Sequence, residues 1–373
     1  MKKLFLLILA VIMICIVFPL RVQAAEIDQF DESKEEIKSA VDDDTKEHMS
    51  MLGVTDMDVT SVSDITLFDS FDLIADLIGD SAAAPISAGV ILIAVILLAS
   101  LLESYTFSLR YIDTKDVMNT VSSLMIVMTL VTPIVKLIES SLMTVKGAAS
   151  LMLVYVPVMV GIMAFSGHVI GSGAYYATVM TASQAISQLS AAFFSPLLNI
   201  FLVLSVTSAV SSRIKLNGIC ELIAKLIKWT LMFAMALFSA ILSIQGVAAN
   251  AADTVASKAV RFTLSSFIPI VGSSISEAYK SIEGSVGLLR SGIGVFVIIA
   301  VLVAFLPIVI QILLWQVSVL CAKTVAQLFD ITSIVTILTS ISTVLSVMMA
   351  MIISIGSVFL ISSGVVISVG GAS

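Results

Sequence analysis

Residues 293–314 read IGVFVIIAVLVAFLPIVIQILL. The run holds no charge, and Pro307 and Gln311 are its only departures from apolar side chains and glycine. A helix rises 1.5 Å per residue, so about 20 apolar residues cross the ~30 Å hydrocarbon layer of a bilayer. The run has that length, is too long for one strand, and is read as a transmembrane helix.

The rest of the chain fits the same solvent. Of 373 residues, 59% are hydrophobic and 12% charged, against about 25% charged in a soluble domain. The formal charge of −7 is unevenly spread. Residues 26–80 hold 17 acidic and 3 basic side chains; after Asp80 there are 9 acidic and 13 basic. Lys2 and Lys3 precede the apolar run 4–18, and Val22-Gln23-Ala24 offers small residues for cleavage. Residues 1–24 are therefore read as a signal peptide, so N-terminal sequencing of the mature protein should begin at Ala25. The alternative is an uncleaved anchor, revealed by Met1 or Lys2. Either way the acidic segment 25–84 is exported.

Up to Thr60 that segment is polar and expected to be mobile. Residues 66–79 have helical phasing. Leu67, Phe68, Phe71, Ile74, Ala75 and Ile78 share one face, and Asp69, Asp72 and Asp76 another. Two readings stay open: a helix lying in the interface, or one docking a partner, since anionic headgroups repel aspartates. Asp42 to Asp44 and Asp56-Met57-Asp58 do not form a calcium loop, because Ser61 and Leu67 stand where the loop needs Gly and Glu.

Residues 85–373 form the membrane domain. Besides 293–314, the runs 86–102, 117–135, 148–165, 193–210, 229–249 and 331–355 can span, seven in all. Segments 174–192 and 315–330 are weaker, carrying Gln184, Gln188, Gln316, Lys323 and Gln327. Polar groups at membrane depth must be buried in protein or line a cavity, so both are candidate re-entrant helices. The fold class expected is an all-α polytopic membrane protein of about seven spans, with the tail after Ile355 cytoplasmic. A faint repeat links units 117–210 and 229–355. Pro133-Ile134-Val135 recurs at Pro269-Ile270-Val271, Pro157 pairs with Pro307, AISQL at 185–189 with TVAQL at 324–328, and VLSV at 203–206 with 344–347. Seven spans would give these units opposite topology, as in transporters with inverted repeats.

Little points to catalysis. No phosphate-binding loop occurs, and His48 and His168 have no second ligand at metal spacing. No enzyme activity, cofactor, metal or nucleic-acid partner is expected. Cys220 and Cys321 are read as packing residues. The span cores carry no charge, which argues against a proton-coupled carrier. Two amphipathic stretches flank the spans. In 215–228, Leu216, Ile219, Ile223, Leu226 and Ile227 oppose Glu221, Lys225 and Lys228. In 274–289, Ile275, Tyr279, Ile282, Val286 and Leu289 recur with a period near 3.5.

Residues 241–295 are neither apolar enough to span nor charged enough for a plain solvated loop. Gln245 and Gly246 close a span, Asn250, Asp253, Lys258 and Arg261 follow, and Pro269 and Gly272 break the chain. This stretch resembles the stage III sporulation protein AE family. The resemblance rests on Ser243-Ile244-Gln245-Gly246, Ala252-Asp253, Lys258, Arg261-Phe262, Phe267-Ile268-Pro269-Ile270-Val271-Gly272 and Ser276. It implies a multi-pass protein of the mother-cell membrane around the forespore. Such a protein would be a subunit of a channel complex with other stage III sporulation membrane proteins, supporting late forespore gene expression. A non-conducting scaffold or a stand-alone permease are the alternatives. Gln245, Gly246, Asn250, Asp253, Lys258, Arg261, Pro269, Gly272, Pro157 and Pro307 are the candidate pathway or partner residues; Asp69, Asp72 and Asp76 form the candidate partner helix.

Overall fold

A computed structural model describes residues 31–57, 67–108, 115–165, 169–210, 217–267 and 272–368. All the described elements are helices. Two short ones come first, α1 (Asp31–Ala40) and α2 (Asp43–Met51). Longer ones follow: α3 (Leu67–Ser108), α4 (Lys115–Phe165), α5 (Val169–Leu189), α6 (Ser195–Val210), α7 (Asn217–Phe267), α8 (Gly272–Leu328) and α9 (Thr332–Ser368).

The acidic segment is folded over 31–57, against the expectation of mobility. Ile37, Val41, Met49, Leu52, Val54 and Met57 are all buried; α1 packs on α4, and α2 on α8 and α3. The apolar residues sit one helical turn apart and are diluted by acids, which hid the pattern. Asp42 caps α2 by accepting from the Thr45 amide at 3.0 Å. Gly53, at φ 74°, ends it. The Val54 and Gly53 amides return to the Met49 and Ser50 carbonyls, and Val54 and Met49 are buried as this terminator requires. Lys38 bridges to Asp56, and its hydrogen bond and charge hold the Asp56 carboxyl below the usual carboxylate range. This contribution is present above the unfolded-state carboxylate pKa and fades as pH falls through the lowered one. The pair is exposed, so the effect is small.

Among the described residues, six helical stretches are long and apolar enough to cross a bilayer: 69–102, 120–164, 171–207, 218–245, 290–328 and 332–365. The difference from seven arises in α4. Runs 117–135 and 148–165 lie on this one 51-residue helix, which is about 77 Å long. The intervening Lys136 to Lys146 is no loop, for Leu137, Ile138, Ser141 and Val145 are buried at helical spacing. Two runs on one continuous helix cannot be successive crossings of opposite sense.

Neither weaker segment turns back. Residues 174–192 continue into α6 through a π turn, Ser190–Phe194, and Gln184 and Gln188 are exposed on the outer side. Residues 315–328 are the last turns of α8, with Trp315, Val319, Ala322 and Ala326 buried. In the candidate repeat, Pro157 and residues 185–189 lie on different helices, whereas Pro307 and residues 324–328 share α8. With each of the six crossing once, the tail emerges on the same side as the acidic segment. A cysteine placed at Ser373 should then be labelled from the same side of the membrane as one placed in residues 31–57; labelling from opposite sides would require an odd number of crossings.

α8 and α9 form the central antiparallel hairpin and are the most buried of the six. Their turn is closed by Asp330 at φ 55°, with the Ile331 and Asp330 amides bonded to the Ala326 and Gln327 carbonyls. Close approach depends on small residues. A Cβ on Gly294 would lie 2.6 Å from Ile367 Cγ1, and one on Gly356 3.4 Å from Phe305. Around this hairpin stand α3, α4, α6 and α7. Large apolar side chains are exposed along α3 (Ile86, Val90, Leu97, Leu101) and α7 (Leu222, Trp229, Phe233, Ile244). Such bands suit contact with lipid. The amphipathic stretch 215–228 is not a separate helix; its residues from Asn217 on are the first turns of α7. There Ile223 and Ile227 are buried, and Lys225 pairs with Glu221 at 3.6 Å.

Candidate functional site

Polar side chains converge inside the bundle on one level, where α4, α5, α7, α8 and α9 meet. Tyr155 of α4 is fully buried, Tyr175 of α5 and Arg290 of α8 nearly so, and Ser362 and Ser363 of α9 are buried beside them. The Tyr175 hydroxyl donates to the Ser362 carbonyl at 3.3 Å. The Tyr155 hydroxyl lies near Ser363 and Tyr175 and within the field of the Arg290 charge, yet it completes no hydrogen bond of normal geometry. One turn along α5 from Tyr175, Thr178 donates to the Gln245 side chain of α7. The Tyr155 hydroxyl also stands beside Gly294, at an ordinary 3.6 Å from where a Cβ would be.

This junction is unusual for an apolar bundle. A buried guanidinium loses several kcal/mol of solvation unless surrounding groups replace it. Hydroxyls and carbonyls from neighbouring helices are what this level supplies. Along α9 the hydroxyls bond to their own helix: Thr336, Thr339, Thr343, Ser346 and Ser357, and within the layer Ser362 and Ser363, each donate to the carbonyl four residues earlier. The arrangement is thus a fixed polar layer bearing one buried cation. It stands where α7 passes Gln245 into positions 246–267 and where α8, after positions 272–289, reaches Arg290.

Of the residues singled out from the sequence, Gln245 joins this layer. Positions 246, 250, 253, 258 and 261 lie on the continuation of α7, beyond the stretch fit to span, which ends at Gln245; the side chains from 246 to 267 lie outside the described residues. Pro269 also lies outside them, and Gly272 begins α8. Pro157 is exposed two residues from Tyr155, and Pro307 is half-buried about 25 Å along α8 from Arg290. Asp72 and Asp76 are exposed, while Asp69 is half-buried and engaged with other groups. Cys220 is buried, with Ser205 Oγ 3.6 Å away, but Cys321 is exposed rather than packed.

The model of the family described as stage III sporulation protein AE matches residues 60–370, which takes in every long helix and the polar layer. The chain belongs to the stage III sporulation protein AE family. A stage III sporulation protein AE from Bacillus subtilis (strain 168) is 21% identical over 164 residues, covering 44% of this chain and 41% of that protein's length. No solved structure matches the chain. In this member of the stage III sporulation protein AE family, sequence reasoning missed Tyr155, Tyr175, Arg290, Ser362 and Ser363. Arg290 held the available signal. It stands three residues before the apolar run 293–314, with no acid closer in sequence than Glu283.

Proposed function

We propose that this chain is a membrane subunit of a channel or transport complex between mother cell and forespore, assembled with other stage III sporulation membrane proteins. It would sit in the mother-cell membrane around the forespore, support late forespore gene expression and catalyse no reaction. Membership of the family over residues 60–370, in a chain with six helices fit to span, is the observation that carries this reading. The buried polar layer, reached from α7 and α8, adds a place where the membrane part departs from plain apolar packing. A non-conducting scaffold is the second reading. The close α8–α9 packing at Gly294 and Gly356 and the self-satisfied hydroxyls of α9 favour it, because such a core is braced rather than lined for passage.

The test is a late forespore reporter in a deletion strain complemented with variants at wild-type protein level. Arg261→Ala should lower the reporter severalfold, and Lys146→Ala should leave it unchanged. Equal, mild effects would reduce the 246–267 stretch to a connector. A reporter indifferent to the deletion would sink the proposal itself. Solute flux across vesicles carrying the assembled complex separates channel from scaffold.

A further inference from the structure

The first turns of α3 leave half of their apolar arc uncovered. At about 100° per residue, Ser70, Leu73, Ile74 and Leu77 fall in one sector, which faces the bundle; Leu73 and Leu77 are 2% and 5% exposed. The expected apolar face was set one sector further round. There Phe71 is 61% exposed and Ile78 41% exposed. Asp72, Asp76 and Asp80 are exposed on the opposite flank. Between the flanks run Ala75 and Gly79, and a Cβ on Gly79 would meet nothing within 4 Å. The uncovered half is thus a shallow track with large apolar side chains on one edge and carboxylates on the other.

Two observations indicate what covers it. First, nearby lysines are already engaged: Lys38 with Asp56 and Lys46 with Asp43. Neither pairs with Asp72 or Asp76, and α2, packed on α3, adds the exposed Asp42, Asp44 and Glu47 to the same end of the bundle. Second, a bilayer surface suits only one edge, since anionic headgroups repel the other. A basic amphipathic helix matches both edges at once, its apolar side over Phe71 and Ile78 and its cations over Asp72 and Asp76. We propose that residues 71–80 dock a basic amphipathic helix of a partner protein. This rests on the reading of the chain as part of a multi-protein complex.

The experiment places a photo-crosslinking phenylalanine at Phe71 or Ile78 of the full chain in sporulating cells. A control probe goes at Trp229, in the lipid-facing band. Adducts are digested and sequenced by mass spectrometry. The expected result is one partner peptide from both α3 sites, with Lys or Arg along one helical face, and none from Trp229. Asp72→Lys with Asp76→Lys should reduce that adduct about tenfold or more at unchanged protein level. Lipid adducts at both α3 sites, adducts to a second copy, a partner peptide without basic residues, or an adduct indifferent to charge reversal would each overturn the proposal. If the forespore reporter still depends on the chain in such a strain, only the docking fails and the complex reading stands.

Discussion

Tyr155→Ala should destabilise the isolated protein by about 3–5 kcal/mol, the range for emptying a fully buried aromatic site, whereas Tyr155→Phe should not destabilise it. The ring is fully buried among α4, α8 and α9, so its removal leaves a cavity that helices in close contact cannot fill. The hydroxyl makes no hydrogen bond of normal geometry. Deleting it discards a desolvated group that gains nothing from folding, a neutral or favourable change. Tyr175→Phe supplies the contrast. Its hydroxyl donates to the Ser362 carbonyl, so its loss should cost about 0.5–1.5 kcal/mol. Thermal unfolding in one detergent ranks the three. A Tyr155→Phe variant less stable than Tyr175→Phe would mean that the Tyr155 hydroxyl is held by a strong contact, and the account of the junction would fail. If Tyr155→Phe is as stable as the parent but silences the forespore reporter, the hydroxyl acts in function rather than folding.

The second large effect concerns the N-terminal cap. Met49→Asp puts a carboxylate at a site 2% exposed, where Met49 and Val54 close the end of α2. Lost apolar burial and an unpaired charge together should cost at least about 2 kcal/mol. The cap has a small interface with α3, α4 and α8, so it should detach while the long helices persist. Limited proteolysis of the membrane-embedded protein should then cut within residues 31–57, where the parent resists. Helical content should fall only slightly. Cleavage equal in parent and variant would mean that the cap is not docked.

The spans were legible because apolar runs of bilayer length have few other uses. What joins them was less so. The runs 117–135 and 148–165 read as separate spans because the charges of Lys136 and Lys146 outweighed phase, although Leu137, Ile138, Ser141 and Val145 keep the helical spacing. Gln184 and Gln188 suggested a re-entrant segment; four residues apart, they share the outer side of a continuous helix instead. For α3 the period was right and the sector wrong, because its apolar arc is wider than the face that docks. Arg290 fell three residues short of the apolar window, and two tyrosines from different helices carry no joint mark in one dimension. Gln245 was found, but its partner Thr178 lies 67 residues away and only the fold brings them together.

One consequence of the length of α8 is mechanical. Residues 272–328 form one helix, and Arg290 sits in the polar layer with roughly 27 Å of the same rod before it. A tilt of about 10° at Arg290 would carry the far end through about 5 Å. A shift in the packing around Arg290 would in this way appear at the start of α8 as a displacement of nearly one helical turn, while the polar layer itself moved little.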